Sequence, residues 1–270
     1  MVVQHNMAAS NANRQLGIST NTLSKSTEKL SSGYRINRAA DDAAGLSISE
    51  KMRSQIRGLN KASSNAQDGI SAIQTAEGAL NEAHSILQRM NELATQSAND
   101  TNTTADRTAV QSEVNALTNE LSRIASTSQF NTQNLLDGTF TGKNLQVGAL
   151  ENQKITISIG TMNAKALGVD SLNVKSFTEA GSAMTLIQKA ISKVSGQRSD
   201  LGALQNRLEH TVNNLDNISE NTQTAESRIR DTDMASEMVQ YSATSIIQQA
   251  GQSMLAQANS QTQGVLSLIQ

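Results

Sequence analysis

The sequence predicts a mainly α-helical protein: a long antiparallel coiled-coil or helical-bundle rod with a small β-hairpin region, and terminal helices that pair into an inner coiled coil. Two tracks of apolar residues repeat every seven positions and indicate the rod. One short segment alternates apolar and polar residues and indicates the hairpin. Only 2% of the residues are aromatic and none is proline, so the core must consist of Ala, Leu, Ile, Val and Met.

The first helix is expected to end near Ser32. Its sequence is rich in Asn, Gln, Ser and Ala, with a narrow apolar stripe at Leu16, Leu23 and Leu30. The last segment, residues 234–270, has a similar composition. Neither segment buries enough apolar surface alone to offset its ordering entropy. Both are therefore expected to be mobile in a free monomer and helical only when packed together among neighbours.

A short loop is predicted between the first and second helices. Gly33 can adopt the left-handed conformation that ends a helix. Asp41 and Asp42 suit the N-cap and first turn of the next helix, where the helix dipole favours carboxylates. Two adjacent carboxylates are also a candidate acid–base pair, but adjacency directs them to different helix faces.

The second helix is predicted from about Asp41 to Asn99. Seven apolar residues share one heptad position, from Met52 to Ala94, and mostly small residues follow in a companion stripe. Such a helix would be roughly 85–90 Å long, which indicates a rod. Three glycines within it cost helix stability but permit close backbone approach, namely Gly58, Gly69 and Gly78.

The remaining elements follow in order. Apolar residues spaced by four and three predict a shorter helix from Val110 to Ile124. A hairpin is predicted in the segment NLQVGALENQKITISIG, residues 144–160. A second long heptad track runs from Ile187 to Ile229. Because the hairpin lies between the two tracks in sequence, a rod that folds back on itself would carry it at the far end from the termini.

The second helix carries one further apolar stripe, turned about 100° from the main core line. Its members are Ala72, Ala79, Ile86 and Leu93. A helix with two apolar stripes needs partners on more than one side. Either the stripe widens the interface within the chain, or it contacts other subunits.

The composition argues against catalysis, metal binding and nucleic-acid binding. There is no cysteine, and the three histidines are far apart in sequence, so no catalytic residue, metal site or cofactor is predicted. The segment DTDMAS at Asp231 lacks the ligand and glycine of a calcium loop. The net charge of −2 provides no broad field for nucleic acid. No apolar run is long enough to cross a membrane, and the first residues lack the apolar region of a signal peptide.

Three segments closely resemble one family, bacterial flagellin. They read LSSGYRINRAADDAAG from Leu30, GISAIQTAEGALNEAHSILQRMNELATQSAND from Gly69, and AESRIRDTDMASEMVQYSATSIIQQAGQSMLAQANSQTQGVLSLIQ from Ala225. The resemblance covers essentially the whole chain, without the variable outer domains that many flagellins insert. It implies an inner terminal coiled-coil domain of residues 1–33 and 234–270, which would polymerise and line the central channel of the filament. It also implies a connector of residues 34–46, and an outer rod of residues 47–233 with its hairpin region at about 139–178.

The resemblance also implies a function and partners. The protein would polymerise into the extracellular flagellar filament after unfolded export through the flagellar type III apparatus. Cap and hook-associated proteins, and an export chaperone at the C-terminal segment, would be partners. Implied polymerisation residues are Leu16, Leu23, Leu30, Ile247, Met254, Val265 and Leu268. Implied connector and inter-subunit residues are Gly33, Arg35, Arg38, Asp41 and Asp42, the two arginines pairing with carboxylates of neighbouring subunits unless the connector is simply solvated.

A further implied partner is the flagellin-sensing Toll-like receptor, because LQRMNELATQ resembles the segment that this receptor grips. The implied receptor residues are Leu87, Gln88, Arg89, Leu93, Gln96, Val110 and Glu113. Helical geometry places Arg89 about 200° from Leu87, and an exposed Leu93 is expected one turn further on the same side. Asn91 stands where many receptor-active members have a second arginine.

The sequence departs from the family pattern at a few positions, and three other protein classes are alternatives to a flagellin. Thr262 stands where the family often has proline, and the chain ends in Gln270 where members often end in arginine. A hook–filament junction protein shares terminal coiled coils, but matches less well at both ends. A flagellin-like enzyme would need an inserted peptidase domain, for which the segment between Asn131 and Ala180 is too short. A non-flagellar coiled-coil adaptor is the third alternative, and it would not polymerise.

Overall fold

A computed structural model describes residues 5–267, apart from the side chains of residues 262, 263 and 265–267. The elements are α1 (Met7–Ser32), α2 (Ala43–Ser97), α3 (Thr104–Thr127), β1 (Gln129–Phe130), β2 (Gln133–Asn134), β3 (Lys143–Gln146), β4 (Lys154–Ile157), α4 (Ala164–Leu167), α5 (Phe177–Arg230) and α6 (Met234–Ser267). The predicted fold class is confirmed, since long helices dominate and the strands form two small antiparallel hairpins.

The described residues form two compact units. The terminal unit comprises the described residues up to Ser54 and those from Glu220 onward, and the central unit is Gln55–Ser219. Helices α2 and α5 each contribute to both units. The predicted helix bounds were close, but α2 begins at Ala43, so the last residues of the predicted connector are helical.

Two heptad tracks form the core of the central unit, as predicted. The apolar side chains of α2 and α5 at these positions are fully buried from Ile73 to Ala94 and from Ile187 to Leu208. Helix α3 adds Val114 and Leu121 to the same cluster. It starts with a capping box in which Thr103 and Asp106 exchange hydrogen bonds.

The second apolar stripe of α2 is largely covered within the chain. Ala72 and Leu93 are buried, and Ala79 and Ile86 pack half-buried against the same core cluster. The structure therefore favours the first of the two interpretations, a wider interface inside the chain. Leu93, in particular, belongs to the cluster that contains Val114 and Ile187.

The β3–β4 hairpin has the predicted strands, with Leu145 opposite Ile155. Its predicted place at the far end of the helices is wrong. The Asn65 side chain donates to the carbonyl oxygen of Gln146 at 3.1 Å, so the hairpin lies alongside the first half of α2. The physical reason is that glycine in α2 lets the hairpin pack closely on the helix. A Cβ atom added at Gly69 would lie only 2.4 Å from the Leu145 side chain.

A second hairpin, β1–β2, was not predicted. Its turn residues Asn131 and Thr132 both have positive φ angles, at 48° and 63°. After α4, the chain is anchored through Gln111 of α3. This buried side chain donates to the carbonyl oxygen of Leu172 and accepts from the backbone of Val174, each at 2.8 Å.

Candidate assembly surfaces

Helices α1 and α6 pack against each other as an antiparallel pair within the terminal unit. The register follows from three polar contacts along the pair. The Asn6 side chain donates to the carbonyl oxygen of Ala258 at 2.9 Å, Gln248 donates to Thr20 at 3.2 Å, and Lys29 pairs with Glu237 at 3.6 Å. The terminal helices therefore pair as predicted, but they are helical in the single chain, whereas helical structure was expected only among neighbouring subunits.

A groove of about 470 Å³ runs between these two helices. We call it the terminal groove; it is lined by Ala8, Asn11, Ala12, Gln15, Leu16, Ser19, Ile247, Ala250, Gly251 and Met254. Gly251 lies opposite Leu16, and a Cβ atom there would make an ordinary van der Waals contact with the Leu16 side chain at 3.5 Å. Leu16 is half-buried at this contact, as are Leu23 and Leu30 further along α1.

Helix α6 also carries an exposed apolar face. Val239 is 71% exposed, and its neighbours on the face are Met238, Ile246, Ile247 and Met254. On α1, Met7 and Ile18 are likewise exposed. Of the remaining predicted polymerisation residues, the Val265 side chain and the whole of Leu268 lie outside the described residues. A group of exposed apolar side chains of this kind typically marks an interaction site.

Gly33 ends α1 as predicted. Its φ of 76° is left-handed, and its N–H donates to the carbonyl oxygen of Lys29 at 2.8 Å. The chain then pairs with the segment between α5 and α6. Arg35 N–H donates to the Arg230 carbonyl oxygen at 2.6 Å, and Thr232 N–H donates to that of Gly33 at 3.0 Å. Tyr34 stacks under the Arg230 guanidinium at 4.5 Å.

The two predicted carboxylates have separate roles. The Asp42 side chain accepts from Gly45 N–H at 2.8 Å and caps α2. Asp41 instead accepts from the backbone N–H groups of Arg38 and Asn37, at 2.9 and 3.2 Å. The Arg38 contact, and then the Asn37 contact, hold the pKa of Asp41 below its ordinary value.

Both connector arginines find partners inside the chain, which the sequence analysis missed. Arg38 pairs with Glu28 at 2.9 Å, and the Arg35 guanidinium donates to the carbonyl oxygen of Ile229. An exposed ion pair contributes little to stability and exchanges readily. The Arg38–Glu28 pair therefore leaves the arginine available to a competing carboxylate.

Arg89 of α2 joins α3 through a charged cluster. Its guanidinium contacts Glu113 at 2.9 Å and Glu92 at 3.2 Å. Hydrogen bonds to Glu113, and then to Glu92, raise the pKa of Arg89 above its ordinary value. We call the exposed face around Arg89 the Arg89 surface; it also includes Gln88, Gln96 and Glu113, with Val110 half-buried.

The predicted exposure of Leu93 is wrong. Its side chain is 1% exposed, and Leu87 is fully buried. The prediction placed Leu93 on the outward side with Arg89, although Leu93 also belongs to the second apolar stripe of α2. The structure packs that stripe against the core of the same chain, so Leu93 is buried. Leu87 and Leu93 can therefore pack beneath the Arg89 surface, but their side chains are not accessible to a binding partner.

Among residues 5–267, no group of His, Asp and Glu side chains is placed to hold a metal ion. No helix in that range is long and apolar enough to cross a membrane. In the DTDMAS segment, the Asp233 side chain accepts from the N–H groups of Ala235 and Ser236 at the start of α6, and the Asp231 side chain accepts from the Ser227 hydroxyl.

Comparison with known proteins gives consistent matches at both ends of the chain. Residues 3–141 match the bacterial flagellin N-terminal helical region, and residues 184–269 match the C-terminal helical region. Flagellin from Halalkalibacterium halodurans is 55% identical over 271 residues, and flagellin from Bacillus subtilis is 48% identical over 304 residues. Each alignment covers 100% of both proteins.

Solved structures agree. The crystal structure of Bacillus cereus flagellin has a TM-score of 0.50 at 33% identity, covering 56% of this chain and 88% of that one. A putative flagellar hook-associated protein from Vibrio parahaemolyticus has a TM-score of 0.59, covering 71% of this chain and 100% of that one. Its identity is only 12%, so that likeness concerns the fold alone.

Proposed function

Because the chain belongs to the bacterial flagellin family, we propose that helices α1 and α6 carry the contacts through which it polymerises. The protein is a structural subunit that self-assembles into the flagellar filament outside the cell, and it is not an enzyme. The proposal concerns which residues of the chain make the contacts between subunits. It assigns residues 1–33 and 234–270 to an inner polymerisation domain, residues 34–46 to a connector and residues 47–233 to an outer domain.

The exposed apolar face of α6 is the observation that carries this proposal. Val239, Ile246 and Met254 are each more than half exposed in the single chain. Full burial of such a side chain contributes about 1.5–3 kcal/mol. Burial of a few of these side chains against neighbouring subunits would offset the entropy that a subunit loses on association. The terminal groove beside Leu16 provides a complementary surface for a neighbour's apolar side chains.

The connector has a supporting role in the proposal. Asp41, Asp42 and Gly33 fix the backbone between α1 and α2 through local hydrogen bonds. Arg35 and Arg38 lie beside it, and Arg38 would exchange its exposed intrachain partner for a carboxylate of a neighbouring subunit. A contact between this connector and a neighbouring subunit would thereby affect the position of the first turns of α2.

The Arg89 surface is proposed as the contact for the flagellin-sensing Toll-like receptor. Arg89 with Gln88, Gln96 and Glu113 offers an exposed charged centre, and arginine is among the residues that most often dominate interface energy. Leu87 and Leu93 would position the surface rather than touch the receptor. A filament neighbour covering the same surface would restrict the receptor to free monomer.

Export and capping partners complete the proposal. Secretion in unfolded form through the flagellar type III apparatus requires that α6 be kept from premature association. An export chaperone bound to the C-terminal segment would cover its exposed apolar face. The cap protein and the hook-associated proteins would contact the same terminal helices at the ends of the filament.

Seeded polymerisation tests the central assignment. Purified chain is added to filament fragments, and growth is followed by light scattering and electron microscopy. Deletion of residues 234–270 is expected to abolish growth, while circular dichroism shows the helices of the central unit retained. At one exposed site of α6, Ile246→Asp is expected to block growth and the matched apolar variant Ile246→Leu to preserve it. Growth by Ile246→Asp at the native rate would reject α6 as an assembly face.

A further inference from the structure

The exposed methionines of the described chain lie on the two terminal helices. Met7 of α1 is 73% exposed, and Met254 of α6 is 66% exposed. Met234 and Met238, in the first turns of α6, are also exposed. In the central unit, by contrast, Met90 is fully buried in the core. An oxidant in the solvent therefore reaches methionine sulfur chiefly on the helices that are proposed to polymerise.

Met254 is the exposed methionine that lines the terminal groove. Ile247, seven residues earlier, lies about two helical turns away on the same side of α6 and lines the groove as well. Leu16 of α1 contributes from the opposite wall. The Met254 side chain thus adds apolar surface to the groove that is proposed to receive a neighbour's side chains. Met7 is comparably exposed but lies outside the set of residues that defines the groove.

The sulfur of this chain is all in methionine, because the sequence has no cysteine. Hydrogen peroxide converts the methionine thioether to a sulfoxide: the sulfur loses two electrons and bonds to oxygen, the O–O bond breaks, and water leaves. The product is polar, whereas the thioether is apolar and flexible. A polar oxygen that is buried without a hydrogen-bond donor costs free energy. Oxidation of Met254 would therefore weaken a contact that buries this side chain.

We propose that Met254 is an oxidation site that controls subunit addition: the thioether form joins the filament and the sulfoxide form does not. The inference rests on the proposed function, because it requires a neighbouring subunit to bury Met254. The modification acts on the free monomer, in which the side chain is accessible. It is reversible, since a methionine sulfoxide reductase returns the thioether and water while two thiols are oxidised to a disulfide.

Seeded growth of oxidised monomer tests the proposal. Monomer is treated with dilute hydrogen peroxide, the peroxide is removed with catalase, and unoxidised filament fragments are added. The critical concentration for growth is expected to rise by roughly tenfold or more, since the sulfoxide opposes burial. Mass spectrometry should find the sulfoxide at Met254 and the thioether at the buried Met90. Circular dichroism should show the same helix content before and after treatment.

Two leucine variants identify the methionine that is responsible. Met254→Leu keeps an apolar side chain of similar volume without sulfur, so it should grow as the native chain does and no longer respond to peroxide. Met7→Leu is the matched control, because it removes an equally accessible sulfur outside the groove and should leave the response unchanged. Met254→Gln is polar and of similar length, and it should hinder growth without any peroxide.

Restoration provides the last arm. A methionine sulfoxide reductase with a dithiol should return the oxidised native monomer to within about twofold of its untreated critical concentration. Native growth of monomer oxidised at Met254, or a peroxide response retained by Met254→Leu, would overturn the assignment. Loss of helix content on oxidation would also overturn it, because unfolding would then explain the block. Failure of the untreated native chain to grow on seeds would instead reject the proposed function.

Discussion

Gly58 of α2 lies so close to Ala149 of the β3–β4 turn that a Cβ atom on Gly58 would be 2.8 Å from the Ala149 Cβ. The glycine thus brings the hairpin against the helix, at a cost in helix propensity of about 1 kcal/mol. Gly78 lies on the same helix with no atom within 4 Å of such a Cβ. The two glycines therefore differ in what an alanine would do.

The first prediction compares these two sites. Gly78→Ala is expected to raise the free energy of unfolding by about 0.5–1 kcal/mol, because helix propensity improves with no clash. Gly58→Ala is expected to lower it, since overpacking against Ala149 costs about 1–3 kcal/mol. Denaturant titration measures both. Equal stabilisation by the two substitutions would show that the hairpin is not packed tightly on α2.

The second prediction concerns the end of α1. Gly33→Ala places a Cβ in the left-handed region and should destabilise the terminal unit by about 1–2 kcal/mol. Gly17→Ala, inside the same helix with open space around it, is the control and should be neutral or stabilising. Urea titration of the monomer distinguishes the two. A neutral Gly33→Ala would mean that the connector does not depend on the left-handed turn.

The third prediction follows from the lowered pKa of Asp41. A carboxyl whose folded pKa is depressed contributes its stability above the ordinary value of 3.8, and loses it as the pH falls through the lower folded pKa. The amide resonances of Arg38 and Asn37 should therefore shift with a midpoint below 3.8. In Asp41→Asn this transition should be absent. A titration midpoint at the ordinary value of 3.8 would show that Asp41 does not accept these two hydrogen bonds in solution.

The fourth prediction tests the Arg89 surface. Arg89→Ala is expected to weaken binding of the purified monomer to the receptor by about tenfold or more, with the fold unchanged. Arg123→Ala removes a comparably exposed arginine of α3 and is the matched control. Leu93→Ala is unsuitable for this purpose, because truncating a buried leucine costs about 2–5 kcal/mol of stability. Native affinity in Arg89→Ala would place the receptor contact elsewhere.

Heptad spacing was sufficient to predict the helical core. The tracks through Leu80 and Leu201 are buried as expected, and Gly33 and Asp42 end and start helices where the local chemistry indicated. Those features depend on residues close in sequence, whose spacing and conformational preferences can be read directly.

What the sequence could not predict depends on distant packing. The burial of Leu93 requires knowledge of how wide a face of α2 its neighbours cover. The position of the hairpin depends on its contact with Gly58 and Gly69, which periodicity does not encode. The β1–β2 hairpin has two-residue strands, too short for an alternating pattern, and its turn uses positive φ angles at Asn131 and Thr132 without glycine.

The most direct measurement of the central claim is thiol labelling at Ile247, which lines the terminal groove. The chain has no cysteine, so Ile247→Cys introduces one reactive group without background. In the monomer, where Ile247 is 53% exposed, a maleimide reagent should label it readily. If neighbouring subunits cover α6, labelling in intact filaments should be slower by about tenfold or more. Equal labelling rates in monomer and filament would contradict the assignment of α1 and α6 as the polymerisation helices.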